Sequence, residues 1–121
     1  MKYLITGGAG FIGSRFAEML VTGSIPHSYS SITVVDKLTY SGNLANLDAV
    51  ITAPGFKFVE ADICDRATMD EVFLKSGIQV VVNFAAESHV DRSIESSFEF
   101  LNTNVMGTQN LLDISRKFGV K

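Results

Sequence analysis

The sequence predicts a doubly wound α/β fold, in which helices cover both faces of a parallel sheet. Short apolar, β-branched runs alternate with segments of helical periodicity in the order β-α-β-(α)-β-α-β-α. The run Val80-Val81-Val82 is continuously apolar, as expected for a strand that is covered on both faces. A glycine-rich turn joins the first strand to the first helix. Right-handed crossovers then favour the spatial strand order 3-2-1-4.

Each predicted element follows from the local residue pattern. Strands are predicted where short β-branched runs end at glycine, proline or acidic residues, and helices where apolar residues recur every three or four positions. Gly23 and Pro26 end the first helix, and Gly77 caps the helix before the fourth strand. The predicted elements are strand 2–6, helix 11–21, strand 32–35, a short helix 47–51, strand 57–59, helix 66–75, strand 79–84 and a helical region 93–118 with candidate interruptions at 102–104 and 107.

The composition is typical of a single packed domain and argues against a nucleic-acid-binding or membrane-spanning protein. The chain has 121 residues, with 46% hydrophobic and 19% charged residues, which fits one packed domain over residues 1–121. A net charge of −3 argues against a nucleic-acid partner or an anionic membrane surface. A lone cysteine, Cys64, excludes an intrachain disulfide, and no apolar stretch approaches the roughly 20 residues of a membrane span. These features predict a cytoplasmic domain.

The end of the chain carries a further expectation. Gly119-Val120-Lys121 is typical of the exit from a helix towards another strand. Without that fifth strand, the fourth would be an unpaired apolar edge, which is an aggregation liability. We therefore expect the sheet to be incomplete, with later strands and a substrate-binding domain outside these residues.

The turn after the first strand predicts a dinucleotide site. Glycines at positions 7, 10 and 13 give the spacing G-x-x-G-x-x-G between a strand and a helix. One glycine allows the tight turn, one lets backbone amides approach a pyrophosphate, and one lets the helix lie close to the sheet. The helix N-terminus adds a favourable partial positive charge. The alternative is a purely structural glycine turn.

Acidic residues at the ends of two further strands extend this hypothesis. Asp36 ends the second strand, where a carboxylate can accept hydrogen bonds from ribose hydroxyls and repel a 2′-phosphate, which favours NAD over NADP. The adjacent Lys37 could partly neutralise that repulsion. Asp62 could accept from the adenine amino group while Ile63 packs on the ring. Asp65 fits the helix N-cap position better than Asp62 does.

The loop after the fourth strand lies at the topological switch point, where such sheets bind ligands. Ala85 and Ala86 are small enough for backbone to lie against a dinucleotide, and Ser88 could donate to a sugar or phosphate oxygen. The segment 89–92 includes histidine, aspartate and arginine, but a polar loop that caps the next helix is favoured over a catalytic cluster. No residue spacing in this loop indicates a metal site. Cys64 is interpreted as a small core residue rather than a nucleophile.

Three motifs together resemble a known family. The glycine turn resembles the fingerprint of the extended short-chain dehydrogenase/reductases, which have a Rossmann-type sheet. The segments Asp36-Lys37-Leu38-Thr39-Tyr40-Ser41-Gly42-Asn43 and Ala85-Ala86-Glu87-Ser88-His89-Val90-Asp91-Arg92-Ser93-Ile94 resemble the nucleotide-sugar 4,6-dehydratases within it. With the glycines above, the resemblance implies NAD contacts at Gly7, Gly10, Phe11, Ile12, Gly13, Asp36, Lys37, Leu38, Thr39, Asp62, Ile63, Phe84, Ala85, Ala86, Glu87, Ser88 and Thr103, with Ser88 also touching substrate.

The resemblance also implies a reaction. Such enzymes remove hydride from C4 of a sugar such as that of dTDP-glucose, eliminate water across C5–C6 and return hydride to C6. The family's Tyr-x-x-x-Lys pair and Thr-Asp-Glu motif have no match here, so we expect no catalytic residue within this chain. Family members are usually homodimers. The alternatives are a UDP-sugar epimerase or decarboxylase of the same superfamily, and a non-catalytic NAD sensor.

Overall fold

The computed structural model describes residues 1–120, without the side chains of Val90 and Arg92. Its elements alternate between strands and helices along the chain, as the sequence predicts. They are β1 (Lys2–Thr6), α1 (Phe11–Val21), β2 (Ser31–Asp36), a 3-10 turn (Leu44–Leu47), β3 (Phe56–Glu60), α2 (Arg66–Ser76), β4 (Val80–Asn83), α3 (Val90–Glu95), α4 (Ser97–Leu101), a π-helical segment (Asn102–Gly107) and α5 (Thr108–Lys117).

All four strands pair in parallel, in the order β3-β2-β1-β4, which confirms the predicted order. Alternate residues of β1 face opposite sides of the sheet, as strand geometry requires. Ile5 packs in a core cluster with Ala17 of α1, whereas Leu4 packs in a second cluster with Phe73 of α2 and Ile114 of α5. Both faces of the sheet are therefore buried, and this Rossmann-type arrangement leaves ligand access at the carboxyl ends of the strands.

Helix α2 is capped at both ends as predicted. The Asp65 carboxylate accepts hydrogen bonds from the hydroxyl and the amide of Thr68, at 2.7 and 3.2 Å. These two bonds, the hydroxyl first, lower the pKa of Asp65 below its ordinary value. Gly77 ends the helix in the left-handed region at φ 58°, where its amide donates to the Phe73 carbonyl.

Two local predictions needed correction. The short helix predicted over residues 47–51 is wrong: a 3-10 turn spans Leu44–Leu47 instead, because the Asn43 side chain accepts from the Ala45 amide and begins the turn there. The last helical region is interrupted, as expected, but by a π-helical segment over Asn102–Gly107. A Cβ at Gly107 would lie 2.6 Å from the Ile63 side chain, so this glycine allows the segment to pack closely against the loop after β3.

Candidate cofactor site

A cavity of about 390 Å³ opens at the carboxyl edge of the sheet. It contains every residue predicted as a cofactor contact except Leu38. The residues that line it are Gly7, Gly10, Phe11, Ile12, Gly13, Val35, Asp36, Lys37, Thr39, Ser41, Gly42, Ala61, Asp62, Ile63, Phe84, Ala85, Ala86, Glu87, Ser88 and Thr103. Four separate segments, each following one strand, therefore converge on one cavity, together with Thr103 of the π-helical segment.

The glycine turn forms the floor of this cavity through close backbone approach. Gly7 has φ +64°, and a Cβ added there would lie 2.5 Å from the Ala85 amide nitrogen. A Cβ at Gly13 would lie 2.3 Å from the Gly7 carbonyl oxygen. Only glycine permits this contact between the turn, the first helix and the loop after β4. Gly7 thus allows the tight turn, and Gly13 allows the helix to pack closely, as predicted.

The first turn of α1 lines the cavity with Phe11, Ile12 and Gly13. Its N-cap is Gly10, which offers no side-chain hydrogen bond to the free N–H groups of that turn. Such groups bind anions, and the helix dipole favours negative charge there. Phe11 and Ile12 are apolar residues with helical spacing, yet they are 90% and 67% exposed because they point out at the cavity rather than into the core.

Asp36 connects the glycine turn to the loop after β2. The Ala9 amide donates to its Oδ2 at 2.9 Å, and the Leu38 amide donates to its Oδ1 at 2.9 Å. Each carboxylate oxygen retains acceptor capacity for a ligand hydroxyl. Leu38 adopts φ 54° and packs against the core cluster on the α1 side, so it holds the loop in place instead of lining the cavity.

Lys37 and Asp62 form an ion pair across the mouth of the cavity, with Nζ 3.3 Å from Oδ2. The other Asp62 oxygen accepts from the Cys64 amide at 2.8 Å. Partial burial acts to raise the pKa of Asp62, but the Cys64 hydrogen bond and the Lys37 charge outweigh it and leave the pKa below its ordinary value. The sequence does not predict where the Lys37 side chain points. In the structure, its ammonium group contacts Asp62.

The loop after β4 is held by two asparagines that sequence reasoning did not select. The Asn104 side chain bonds both backbone groups of Glu87: Oδ1 accepts from the amide at 2.8 Å, and Nδ2 donates to the carbonyl at 3.0 Å. Asn83 Oδ1 accepts from the Thr6 hydroxyl and from the Ala85 amide. Asn104 lies in the π-helical segment, and its only sequence signal was the predicted interruption of the helix.

Glu87 is a buried carboxylate at the rim, 9% exposed. Tyr40 Oη donates to its Oε2 at 2.8 Å, which joins the loop after β2 to the loop after β4. The His89 ring lies edge-on to Tyr40, with 4.7 Å between ring centroids. The His89 carbonyl accepts from the Ser93 amide, four positions later, so the backbone is already helical from residue 90. The prediction of a polar loop over residues 89–92 is therefore wrong beyond His89. The predicted role of Arg92 concerns a side chain outside the described residues.

Ser88 is exposed and lines the cavity beside Glu87. Cys64 is half-buried against the core cluster on the α2 side, and its thiol donates to the Asn102 carbonyl at 3.4 Å. Burial first, and the nearby Asp62 charge second, raise the pKa of the Cys64 thiol, which disfavours the reactive thiolate. Among residues 1–120, no group of three or more histidine, cysteine or acidic side chains could hold a metal ion.

Comparison with known proteins agrees with this geometry. The family model described as GDP-mannose 4,6 dehydratase matches residues 4–121. A dTDP-glucose 4,6-dehydratase of Streptomyces niveus is 48% identical over 97% of this chain and 34% of its own length. One from Neisseria meningitidis is 49% identical over 97% of this chain and 32% of its own length. The chain therefore spans about a third of the length of these relatives.

Solved structures show the same fold. The dTDP-glucose 4,6-dehydratase DesIV from Streptomyces venezuelae, solved with NAD bound, has a TM-score of 0.94 and 46% identity over 99% of this chain and 37% of its own. The UDP-glucose 4-epimerase of Thermotoga maritima has a TM-score of 0.85 and 34% identity over 100% of this chain and 36% of its own. Because the family model covers all but the first three residues, the chain belongs to the GDP-mannose 4,6 dehydratase family, which is a family of enzymes.

Proposed function

We propose that this chain is the NAD-binding part of a dTDP-glucose 4,6-dehydratase. The observation that carries the proposal is the cavity itself, where the glycine turn, Asp36 and the loop after β4 converge. Among the solved structures, the dehydratases DesIV and that of Bacillus anthracis are 46% and 39% identical to this chain, against 34% for the Thermotoga maritima epimerase. This difference favours the dehydratase over the epimerase alternative.

The residues of the cavity fit each part of NAD. The free amides at the start of α1 would bind the pyrophosphate, and the Asp36 carboxylate would accept from the adenosine ribose hydroxyls. Asp62 and Ile63 would contact adenine, and the backbone of residues 84–88 would lie along the other half of the molecule. The remaining predicted contacts, apart from Leu38, line the same cavity. Ser88 would also touch the substrate.

Bound NAD would supply a hydride acceptor that later returns the hydride. The substrate, dTDP-glucose, would lose water across C5–C6 between these two transfers and leave as dTDP-4-keto-6-deoxyglucose, which makes the enzyme a lyase. The chain's own part is to bind and orient the cofactor and to place Ser88 beside the sugar. The acid–base residues, a Tyr-x-x-x-Lys pair and a Thr-Asp-Glu motif, would lie outside residues 1–121.

The test uses the protein at its full natural length. We expect calorimetry to show NAD binding at a single site, and mass spectrometry to show loss of one water from dTDP-glucose. Conversion of UDP-glucose at C4 with no change in mass would instead identify an epimerase. NAD binding without turnover of either sugar nucleotide would contradict the enzymatic proposal and favour the sensor alternative.

We also infer a homodimer and a cytoplasmic location, the latter from the single cysteine. No helix within residues 1–120 is long and apolar enough to cross a membrane. Six large apolar residues of the C-terminal helical region are more than half exposed, which is typical of a surface that another protein covers. They are Ile94, Phe98, Leu101, Val105, Met106 and Leu112. A second copy of the chain would cover this surface.

Phe98→Glu is expected to convert the dimer to monomers in sedimentation experiments, because a charge would be buried at the interface. Leu74→Glu is the matched control, since Leu74 on α2 is 73% exposed and Phe98 is 75% exposed. The control should leave the dimer intact. If Phe98→Glu also sediments as a dimer, the two copies meet elsewhere.

A further inference from the structure

The charged lining of the cavity is unbalanced. It contains three carboxylates, those of Asp36, Asp62 and Glu87. Among the described lining residues, Lys37 is the single cation. A dinucleotide with a 2′-phosphate needs a cation beside the adenosine ribose, whereas NAD does not. Lys37 directly follows Asp36, so it is the residue best placed to meet such a phosphate.

In the structure, the Lys37 ammonium is paired with Asp62. Lys37 Nζ donates to Asp62 Oδ2 at 3.3 Å, and both side chains are about one-third exposed, so the pair is partly shielded from solvent. Lys37 lies on the loop after β2 and Asp62 on the loop after β3. These strands are neighbours in the sheet, with Asp36 paired to Glu60, so their ends lie side by side.

Asp62 is in turn held in position. The Cys64 amide donates to its Oδ1 at 2.8 Å, and the Asp65 amide donates to its carbonyl at 3.0 Å. One carboxylate oxygen is thus used by the backbone turn, while the other meets Lys37. The carboxylate that pairs with Lys37 therefore has a fixed position in the loop before α2, because the backbone of that loop holds it.

We propose that Asp62 is a specificity-determining residue that excludes 2′-phosphorylated dinucleotides by holding the Lys37 ammonium away from the ribose. This inference rests on the proposed NAD site. Asp36 repels a 2′-phosphate directly, and Asp62 removes the charge that would offset this repulsion. By itself, Lys37 beside Asp36 would weaken the preference for NAD over NADP. The ion pair with Asp62 removes this effect.

The test measures dissociation constants for NAD and NADP in the full-length protein and in Asp62→Asn, Lys37→Met and the double variant. Asparagine keeps an oxygen for the Cys64 amide, so the turn is preserved. The readout is the ratio of NADP to NAD affinity. Both ligands carry adenine, so any loss of an adenine contact cancels in this ratio.

We expect Asp62→Asn to raise the ratio about fivefold, the scale of a partly exposed charge pair. In the Lys37→Met background, the same change should raise the ratio less than about twofold, because no ammonium is released. Glu60→Gln is the control for charge alone, since it removes a nearby exposed carboxylate and leaves the ion pair intact. It should leave the ratio unchanged.

An equal effect of Asp62→Asn in both backgrounds would overturn the inference, because Asp62 would then act by its own charge. An unchanged ratio in the wild-type background would overturn it as well. Asp62→Ser gives the same cycle if the asparagine variant does not fold, since a serine hydroxyl can also accept from the turn amide. Failure of the wild-type protein to bind NAD at all would instead reject the proposed function.

Discussion

Gly7→Ala is expected to destabilise the protein by about 2–5 kcal/mol and to abolish NAD binding. Alanine in the left-handed region costs about 1–2 kcal/mol, and Gly7 has φ +64°. Its Cβ would also lie 2.5 Å from the Ala85 amide nitrogen, and overpacking of this kind costs about 1–3 kcal/mol. Because that contact is with backbone, relief requires the loop after β4 to move away from the cavity. Urea denaturation measures the free energy of unfolding, and calorimetry measures NAD binding.

Gly23 provides a matched control for this prediction. It also has a left-handed conformation, at φ +75°, but a Cβ there would meet no atom within 4 Å. Gly23→Ala should therefore show only the conformational cost of about 1–2 kcal/mol, with NAD affinity unchanged. If both variants lose the same stability, close backbone approach is not what requires glycine at position 7.

Asp36→Ala is expected to weaken NAD binding by about 3 kcal/mol, roughly 100-fold. The change removes the acceptor for the ribose hydroxyls. It also leaves the amides of Ala9 and Leu38 without the carboxylate that orients them, so the glycine turn and the loop after β2 lose their connection. Leaving a fully buried donor unpaired costs about 1–3 kcal/mol. These two bonds are partly buried, so the free energy of unfolding should fall by less than that for each. Calorimetry and urea denaturation measure the two effects.

Asp48→Ala is the control for loss of a carboxylate. Asp48 is exposed in the turn after the 3-10 segment and does not line the cavity. This variant should bind NAD as the wild type does. A similar loss of affinity in both variants would show that Asp36 acts through net charge and not through its hydrogen bonds.

Much of the candidate site could be predicted because its signals are local. A strand, a glycine turn and a helix follow one another in sequence, so the backbone requirement at Gly7 and Gly13 can be read from spacing. Asp36 and Asp62 could be predicted because parallel strands place their carboxyl ends at one edge of a sheet. The capping of α2 by Asp65 is likewise local, since it involves a residue only three positions away.

What sequence reasoning missed depends on contacts between distant segments. Asn104 bonds Glu87 across 17 positions, and Tyr40 bonds Glu87 across 47, so no short pattern marks either residue. Phe11 and Ile12 were expected at the cofactor site only from the family resemblance, because periodicity alone does not say that this end of the helix faces a cavity. Leu38 was carried over with its neighbours, whereas its left-handed backbone turns the side chain towards the core.

The sequence by itself determined the fold class, the strand order and the dinucleotide turn, because periodicity, β-branching and glycine spacing act over a few residues at a time. Only the tertiary structure decided how the charges at the cavity mouth are paired. Lys37 could have faced the ribose or turned away, and the choice depends on Asp62, which lies 25 positions later and reaches it only once β2 and β3 have paired. The long Lys37 side chain has several rotamers, and its partner decides which one it adopts. Asp62 comes within reach of it only in the folded chain.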